Sequence, residues 1–315
     1  MSARDRIRET NPAFYERYSM LEDTEEFWEF IIRPLRQSIR VNTLKAPLDV
    51  VVERLEEEFE LEPVPWAREG FFINVDNLAG VPEHGLGVIF GQEASSMIPP
   101  VVLDPKPGEL VLDMAAAPGS KTGQMAQYME NEGCIIANDP QLERANVLIA
   151  NLNKMGVLNT IVTTRDGVYF GRYEDSFDRI LLDAPCSSVG MIRKRWKFLT
   201  DWRRKRVLRY MNIQKKLILA AYRALKPGGV LVYSTCTLDP LENEEVVDYL
   251  LRKTNALLEK INLPVRTSEP VVEWDGREYS SELKKALRIH PNDNNTEAFF
   301  VAKIIKPEGE EWRGR

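Results

Sequence analysis

The sequence has few residues of the types that bind metals or form disulfides. Its 315 residues include three cysteines, at positions 134, 186 and 236, and two histidines, at positions 84 and 290. The cysteines are odd in number and show no CxxC spacing, so neither a disulfide framework nor a zinc site built from local ligand pairs is expected. The opening residues MSARDRIRET contain no apolar signal core. We therefore expect a cytoplasmic protein without a structural metal.

Long apolar runs and phosphate-binding glycine motifs are also missing. No stretch approaches the roughly 20 apolar residues that span a bilayer, so we expect no membrane insertion. The glycine-containing loop 113-DMAAAPGSKTGQ-124 has Lys121 directly after Ser120, with no glycine at the spacing that a P-loop requires, and GxGxxG is absent. A phosphate-gripping NTPase is therefore disfavoured, although 180-ILLDA-184 resembles the acidic strand of such enzymes.

The formal net charge of −6 hides one strongly basic segment. Residues 193–206, RKRWKFLTDWRRKR, hold eight Lys or Arg against the single acid Asp201, and they are interleaved with Trp196, Phe198 and Trp202. Basic groups neutralise phosphates and aromatic faces stack on unpaired bases, as single-stranded RNA recognition requires. A solvated, charged helix start is the alternative. The predicted RNA-binding residues are Arg193, Lys194, Arg195, Trp196, Arg203, Arg204, Lys205 and Arg206.

Residues 1–98 mix helical and strand patterns. Residues 13–30 have helical spacing, 38–44 alternate like a strand, 47–60 begin with a helix-starting proline, and 71–75 form a second predicted strand. This mixture predicts a small α+β RNA-binding domain. Arg40, Asn42 and Lys45 either contact RNA or are the outward polar positions of a strand.

Residues 99–315 change to a regular alternation of strands and helices. Strands are predicted at 110–115, 134–139, 159–164, 178–184 and 229–235, and helices at about 119–131, 141–155, 209–225 and 241–253. Near-continuous apolar strands separated by helices indicate an α/β fold with a mainly parallel sheet covered on both faces. Ligands of such sheets bind beyond the carboxyl ends of the strands.

Polar residues at successive strand ends outline a nucleoside site. The small residues after the first strand let a ligand approach the backbone, and the helix that follows offers free N–H groups. Asp139 ends the second strand, where a carboxylate accepts hydrogen bonds from a ribose diol, and Asp166 follows the third strand, within reach of an adenine amino group. Each aspartate alone is also typical of a helix cap or a turn.

Six segments together resemble one family, the Sun-type (NSUN-type) RNA 5-methylcytosine methyltransferases. They are 38-SIRVNTLK-45, 91-GQEASSM-97, 113-DMAAAPGSKT-122, 183-DAPCSS-188, 234-STCTLDPLENEEVV-247 and 288-RIHPNDNNTEAFFVAKI-304. The resemblance covers nearly the whole chain. It implies a class I S-adenosylmethionine-dependent methyltransferase (Rossmann-like) sheet with a smaller N-terminal α+β RNA-binding domain.

The resemblance also implies which residues hold S-adenosylmethionine. The methionine end would lie on the loop 115–121, the ribose at Asp139 and Arg144, the adenine at Asp166, and the target base beside Asp183. The implied cofactor-binding residues are Ala115, Ala116, Ala117, Pro118, Gly119, Ser120, Lys121, Asp139, Arg144, Asp166 and Asp183. Ser120 replaces a glycine of many members, and Glu297-Ala298 replaces a small pair near the last strand.

Cytosine methylation explains why two cysteines accompany these motifs. Carbon 5 of cytosine becomes nucleophilic only after a thiolate adds to carbon 6, and the thiol must later be expelled. Asp183, if protonated, would stabilise charge at ring nitrogen 3, and Lys121 would orient Asp183 or the base. The residues alone leave the attacking thiol open, because Pro185-Cys186 resembles the nucleophile of DNA cytosine methyltransferases. The resemblance to the RNA enzymes implies Cys236 as nucleophile and Cys186 as the residue that assists release, whereas Cys134 is read as core.

The predicted function is thus methylation of cytosine in RNA by a monomer, with tRNA as the favoured substrate because long basic tails and extra domains are missing. An rRNA substrate, a DNA substrate and a non-catalytic RNA-binding assembly factor are the alternatives. The acidic run 242-ENEE-245 is read as a helix cap that suits the helix dipole.

Overall fold

A computed structural model describes residues 1–309 of the chain. Capping side chains delimit its first helices: Ser2 accepts a hydrogen bond from the Asp5 backbone N–H, Asn11 from that of Phe14, and Thr24 from that of Phe27. The single helix predicted over 13–30 is therefore two helices. The elements up to residue 103 are α1 Ala3–Thr10, α2 Pro12–Tyr18, α3 Glu25–Ile32, β1 Ser38–Val41, α4 Leu48–Glu56, β2 Leu61–Pro63, β3 Gly70–Ile73, α5 Pro82–Gly85, β4 Ile89–Gly91 and α6 Ile98–Leu103.

A small antiparallel sheet forms in the N-terminal region, with strand order β2-β3-β1-β4. Ile39 and Val41 of β1 pack with Val51 and Leu55 of α4 in a core of their own. The α+β character predicted for this region is confirmed.

The rest of the chain builds one large sheet and one separate two-stranded sheet. Its elements are β5 Leu110–Asp113, α7 Ser120–Tyr128, β6 Cys134–Asn138, α8 Leu142–Met155, β7 Thr160–Thr163, β8 Phe177–Asp183, α9 Lys197–Thr200, α10 Arg204–Ala224, β9 Leu225–Thr235, α11 Glu244–Lys253, β10 Leu257–Glu259, β11 Glu273–Trp274, β12 Arg277–Glu278, β13 Leu287–Ile289, α12 Pro291–Asn294 and β14 Phe299–Ile305.

The strand order of the large sheet is β7-β6-β5-β8-β9-β14-β10, and β13 also pairs with β14. The five strands from β7 to β9 run parallel, and β14 is antiparallel to β9. This Rossmann-like mixed sheet confirms the predicted fold class. The chain moves from β5 outward in both directions, so a crevice opens at the carboxyl ends of β5 and β8, where ligands of such sheets bind.

Helices α1 to α3 belong to the core of the large sheet and not to that of the small one. Phe14, Tyr18 and Trp28 are completely buried in the cluster that includes Leu112 of β5 and Ile180 of β8. The Arg17 guanidinium donates to the Asp239 carboxylate at 2.6 Å from Nε to Oδ2. The first 32 residues therefore pack as part of the larger unit.

The described part of the chain has neither a membrane-spanning helix nor a cluster of metal-binding side chains. Within residues 1–309, no helix has the length and apolar character needed to cross a bilayer. The same residues contain no group of three or more His, Cys, Asp or Glu side chains arranged to hold a metal ion.

Candidate active site

Two neighbouring strands bring the cysteines of the PC and TC motifs together. Strands β8 and β9 are paired in parallel with Asp183 opposite Ser234, so the loops that follow them lie side by side. The Cys186 and Cys236 sulfur atoms are 3.3 Å apart, within hydrogen-bonding distance. The Ser187 and Thr237 hydroxyl oxygens, one residue farther on, are 2.9 Å apart. Fifty residues of sequence separation thus become a direct contact between two thiols.

Gly190 allows the loop after Cys186 to close over Cys236. Its backbone N–H donates to the Cys236 carbonyl oxygen at 3.0 Å. A Cβ at this position would lie 2.5 Å from the Ala298 carbonyl oxygen, so a residue with a side chain does not fit without backbone movement. The loop, the end of β9 and the start of β14 therefore form one packed wall behind Cys236.

The contact between the two sulfurs sets where the negative charge of the pair resides. The hydrogen bond with Cys236 lowers the pKa of Cys186, against the opposing effect of burial. The same hydrogen bond, together with burial, raises the pKa of Cys236 well above its ordinary value. Of the two thiols, Cys186 is therefore the one that ionises more readily.

Lys121 and Asp183 form an ion pair beside the cysteines. Lys121 Nζ is 2.7 Å from Asp183 Oδ2, and the Ser234 hydroxyl donates to Asp183 Oδ1 at 2.8 Å. Lys121 Nζ also donates to the Ser96 hydroxyl at 2.8 Å. Burial alone would lower the pKa of Lys121, but the charge and hydrogen bond of Asp183 raise it overall. This geometry pairs the Lys121 ammonium with Asp183, whereas the role at ring nitrogen 3 considered from the sequence requires Asp183 to be protonated.

The predicted nucleoside site lies at the carboxyl ends of β5 to β7. Gly119 follows the small-residue loop with a φ of +104°, and a Cβ there would come within 2.8 Å of Leu148. Arg144 on α8 donates to the Ala117 carbonyl oxygen at 2.8 Å and pairs with Asp139, with 3.0 Å between Nε and Oδ2. Arg144 thereby links the loop 115–119 to the Asp139 carboxylate. A site for an elongated nucleoside requires these two parts to be joined.

Two further carboxylates complete this edge. Asp166 is exposed and its Oδ1 accepts from the Val168 N–H, which leaves Oδ2 toward solvent. Asp113, at the end of β5, is completely buried and accepts from the Thr122 hydroxyl at 2.7 Å. Burial raises the pKa of Asp113 to about 7, although the Thr122 hydrogen bond opposes this. Carboxylates at Asp139 and Asp166 have the acceptor chemistry that a ribose diol and an adenine amino group need, so the donor set fits S-adenosylmethionine.

The basic segment 193–206 divides into an inner and an outer part. The Arg193 guanidinium donates to the carbonyl oxygens of Arg33, Pro34 and Thr296, and Lys194 pairs with Glu297 at 2.8 Å. Trp202 is only 4% exposed, so the interpretation of its ring as a stacking platform for a base is wrong.

The outer part of the segment lies at the start of α10. Arg195, Arg203, Arg204 and Lys205 are exposed, and Arg206 is half-buried. The Trp196 ring is half-buried beneath the Arg6 guanidinium, 4.5 Å from its centroid.

The polar residues of β1 do not face solvent. Arg40 is fully buried and donates to the side chains of Gln92 and Gln127. Burial lowers the pKa of Arg40 to about 10. The Asn42 amide donates to the carbonyl oxygens of Gly87 and Met155, at 2.8 Å each. An RNA contact by Arg40 or Asn42 is therefore excluded, because both side chains join the small sheet to the large one.

The acidic run 242–245 is the part of the site that sequence reasoning missed. Instead of capping α11 in solvent, Glu242 accepts from the Ser187 N–H at 2.8 Å, and Asn243 donates to the Thr237 carbonyl oxygen at 2.9 Å. Glu244 forms a buried ion pair with Arg288. The run between Leu241 and Val246 contains more polar groups than a cap requires, and this was the available signal for a buried network.

Comparison with family models matches both parts of the chain. The model described as 16S rRNA methyltransferase RsmB/F matches residues 100–305. The model described as the N-terminal domain of 16S rRNA methyltransferase RsmF matches residues 11–94.

Individual proteins are similar over most of the chain. A tRNA (cytosine(49)-C(5))-methyltransferase of Pyrococcus abyssi is 64% identical over 310 residues, which cover 98% of this chain and 100% of the relative. A ribosomal RNA small subunit methyltransferase F of Erwinia tasmaniensis is 41% identical over 94% of this chain, which spans only 63% of that longer protein. The crystal structure of a methyltransferase homolog protein from Pyrococcus horikoshii has a TM-score of 0.85 and 38% identity, and covers 97% of this chain and 99% of its own.

Proposed function

Because the chain belongs to the 16S rRNA methyltransferase RsmB/F family, we propose that it methylates carbon 5 of a cytosine in tRNA through a covalent adduct on Cys236. The observation that carries this proposal is the 3.3 Å contact between the Cys186 and Cys236 sulfurs, beside the Lys121–Asp183 ion pair. A single nucleophile would explain one cysteine at a strand end. Two sulfurs in contact support a reaction with an addition and an elimination.

The addition step uses both sulfurs. The Cys236 sulfur forms a bond to carbon 6 of cytosine, and its proton passes to the Cys186 thiolate across the existing hydrogen bond. The raised pKa of Cys236 and the lowered pKa of Cys186 oppose this transfer in the free protein, so the proton has to move as the bond between sulfur and carbon 6 forms. Cys186 is thus the base that activates the nucleophile, in the manner of other paired nucleophiles and bases.

Addition places negative charge on the cytosine ring, and Lys121 is the group suited to stabilise it. Its ammonium lies between Asp183 and Ser96 and carries a raised pKa, so it stays charged near neutral pH. Asp183 holds the ammonium in position through a 2.7 Å contact. A preorganised donor of this kind lowers the energy of a developing anion more than solvent does.

The methyl donor is S-adenosylmethionine, whose sulfonium supplies an electrophilic methyl group to carbon 5 when it is bound. Asp139 and Asp166 would accept from its ribose and adenine, and Arg144 would hold Asp139 in place through their ion pair. The residues Ala115 to Ser120 would let it approach the backbone. Asp113 and Thr122 stabilise this loop from beneath.

Release reverses the addition. Carbon 5 loses its proton to water, the bond between carbon 6 and the Cys236 sulfur breaks, and Cys186 returns its proton to the departing sulfur. The proton that Cys186 accepted in the first step is thereby restored to Cys236. Replacing Cys186 removes the main cause that raises the pKa of Cys236, so addition remains feasible while release loses its acid.

tRNA is the proposed substrate because the chain spans all of the tRNA-modifying relative and aligns with it over 98% of its own length. It spans only 63% of the small-subunit methyltransferase F of Erwinia tasmaniensis, so rRNA is the second candidate. Cytosine 49 is the first position to test, since that relative acts there.

The two regions of the chain have different roles in the proposed reaction. We assign residues 1–98 to an RNA-binding region, whose first 32 residues pack on the large sheet, and residues 99–315 to the catalytic region, and we propose a cytoplasmic monomer. The exposed cations Arg195, Arg203, Arg204 and Lys205 support an RNA path near the carboxyl end of β8. The target base would leave its stack to reach the sulfurs.

The test is a denaturing gel of wild type, Cys186→Ala, Cys236→Ala and Cys134→Ala, each incubated with tRNA transcript and methyl-labelled S-adenosylmethionine. Cys134 begins β6, away from the sulfur pair, and is the matched control. We expect Cys186→Ala to accumulate a labelled protein–RNA adduct and to turn over about 10²- to 10⁴-fold more slowly, the range typical of lost acid–base catalysis. Cys236→Ala should form no adduct, and Cys134→Ala should behave as wild type.

Other outcomes separate the alternatives. An adduct on Cys236→Ala but none on Cys186→Ala would exchange the two roles. Methylation of small-subunit rRNA but of no tRNA would replace the substrate. RNA binding without label transfer to either RNA would favour an RNA-binding assembly factor and sink the enzyme proposal.

A further inference from the structure

Glu242 is a carboxylic acid buried between the two cysteine loops. It is 0% exposed, and its Oε2 accepts from the Ser187 N–H at 2.8 Å and from the Gln214 amide at 3.1 Å. Ser187 directly follows Cys186, and Glu242 lies six residues after Cys236. One side chain therefore connects the segment after β9 to the backbone beside Cys186.

Gln214 of α10 extends this connection. Its Nε2 donates to the Pro185 carbonyl oxygen at 2.9 Å as well as to Glu242. The residues on either side of Cys186 are thus held by a single Glu–Gln pair, and both members of that pair are completely buried. This amide links the Cys186 loop to α10 by a hydrogen bond.

The Glu242 backbone is fixed as well. Its carbonyl oxygen accepts from the Tyr233 hydroxyl at 2.5 Å, and the neighbouring Asn243 contacts both Thr235 and Thr237 around Cys236. The position of Glu242 is therefore set relative to β9. The carboxyl group of Glu242 then holds the Cys186 loop in a fixed position relative to β9.

Glu242 differs from its acidic neighbours in having no cation. Glu244 pairs with Arg288, and Glu245 pairs with Lys215, Arg252 and Arg277, whereas no ion pair within residues 1–309 includes Glu242. Burial, with the nearby Cys186 and Asp239, raises the pKa of Glu242 well above its ordinary value. An isolated buried carboxylate is costly, so the neutral acid is the form that the site accommodates.

We propose that Glu242, as a neutral acid, is a positioning residue that acts with Gln214 to hold Cys186 against Cys236. The inference rests on the proposed function, because it assigns Cys186 a part in that reaction. Glu242 touches neither of the reacting sulfurs in the hydrogen-bond network; it acts through Ser187. Its neutrality matters because a carboxylate here would oppose the thiolate at Cys186.

The experiment compares Glu242→Ala, Glu242→Gln and Gln214→Ala with wild type. Glu245→Ala is the matched control, since Glu245 is a buried acid of the same helix start whose partners lie outside the cysteine loops. The first readout is the pH midpoint for alkylation of Cys186 by iodoacetamide, with Cys134 of the same molecule as internal reference. The second is kcat and KM for methylation of tRNA transcript, and thermal unfolding monitors the fold.

We expect Glu242→Ala and Gln214→Ala to raise the pH midpoint of Cys186, because the loop moves away from the Cys236 donor that lowers its pKa. Their kcat should fall by about 10²-fold with KM for RNA unchanged, the size of effect that a displacement near 1 Å produces. Glu242→Gln preserves an acceptor oxygen and neutrality, so it should restore both values. Glu245→Ala should lower the unfolding temperature without moving the Cys186 midpoint.

Three results would overturn the inference. They are a wild-type Cys186 midpoint in folded Glu242→Ala and Gln214→Ala, an equal shift in Glu245→Ala, and a Glu242→Gln variant as impaired as Glu242→Ala. Alkylation requires neither RNA nor methyl donor. A wild type that methylates no RNA would therefore count against the proposed function, while the Cys186 midpoints would still decide the role of Glu242.

Discussion

Cys186 and Cys236 share one hydrogen bond, so the ionisation of each sulfur depends on the other. Cys186 is buried, which by itself disfavours its thiolate, yet its pKa is lowered by the hydrogen bond with Cys236. A neighbouring thiol, and not exposure to solvent, therefore favours the thiolate form of Cys186. This dependence can be measured without any substrate.

We predict that Cys236→Ala raises the pH midpoint for alkylation of Cys186, because the hydrogen bond that stabilises its thiolate is lost while burial remains. Iodoacetamide labelling followed by peptide mass spectrometry measures the midpoint. Cys134→Ala serves as the control and should leave the Cys186 midpoint unchanged. A lower or unchanged midpoint in Cys236→Ala would mean that the sulfur contact does not set the charge of Cys186.

Glu297, paired with Lys194 behind Cys236, makes stability depend on pH. Burial, with a further contribution from Glu93, raises the pKa of Glu297 to about 7, while Lys194 opposes the shift. An unfolded glutamate titrates near 4.3, so the folded state binds more protons between these values and loses stability as pH rises through them. Above the folded pKa the whole cost is present and no longer changes.

We predict that Glu297→Gln removes this cost. The difference in unfolding free energy between Glu297→Gln and wild type should grow from pH 5 to about 7 and then level off, reaching at most about 4 kcal/mol. The lost ion pair with the half-exposed Lys194 reduces the gain. Urea unfolding across pH measures it, with the exposed Glu259→Gln as control. A difference that shrinks as pH rises would contradict the neutral, buried state of Glu297.

At the scale of elements, the basic segment is divided by its secondary structure. The turn of 3₁₀ helix at Val189–Arg193 places Arg193 against carbonyl oxygens of the chain, whereas α10 starts at Arg204 and presents its first residues to solvent. Basic composition alone does not distinguish a cation that closes a loop from one that is free for phosphate. Only the second kind contributes to the salt dependence of RNA binding.

We predict that neutralising Arg203, Arg204, Lys205 and Arg206 to Gln weakens tRNA binding and lowers its salt slope by up to about 3, if all four contact phosphates. Filter binding between 50 and 200 mM salt, roughly the range over which such contacts change affinity, measures the slope. The matched control neutralises Lys106, Lys226, Lys253 and Lys303, which lie outside the segment and change the net charge equally. Equal slopes for the two variants would remove the start of α10 from the RNA site.

The sequence was sufficient for the long elements and insufficient for the short ones. Strands β5, β6, β8 and β9 were located because their apolar runs are continuous and each is followed by polar residues at the ligand edge. The three-residue strands β2 and β4 were missed, since so short a strand has no measurable alternation. The break between α2 and α3 depends on Thr24, which caps α3 within a run of otherwise helical spacing.

The candidate site, too, could be predicted from the sequence only in part. The resemblance implied that Cys186 and Cys236 act together and that Lys121 lies near Asp183, and the structure brings each pair into contact because their motifs follow adjacent strands. The role of Glu242 was not anticipated, since a buried acid near a helix start has the same local sequence as an exposed cap. Arg40 was misjudged for the same reason: its burial results from packing against α7 and not from its own strand. Residues that act through tertiary packing leave little local signal.

At the scale of the whole molecule, the first three helices are part of the catalytic unit. Arg17 and Tyr18 of α2 both donate to Asp239, which lies three residues after Cys236. The small sheet is joined separately, through Arg40 to Gln127 and through Gln92 to Gln124 at 2.6 Å. We therefore expect the helices at 3–32 and the large sheet to unfold together.

Arg17→Ala tests this coupling, because it leaves the completely buried Asp239 carboxylate without its cation. Breaking a buried pair from one side costs about 3 to 5 kcal/mol, so we predict a loss of that size in unfolding free energy, in a single cooperative transition. Arg36→Ala is the control, since its pair with Glu62 is exposed and contributes at most about 1 kcal/mol. Chemical unfolding followed by Trp28 and Trp202 fluorescence measures both variants. Two separate transitions, or a loss for Arg17→Ala no greater than that for Arg36→Ala, would show that the helices fold independently of the catalytic sheet.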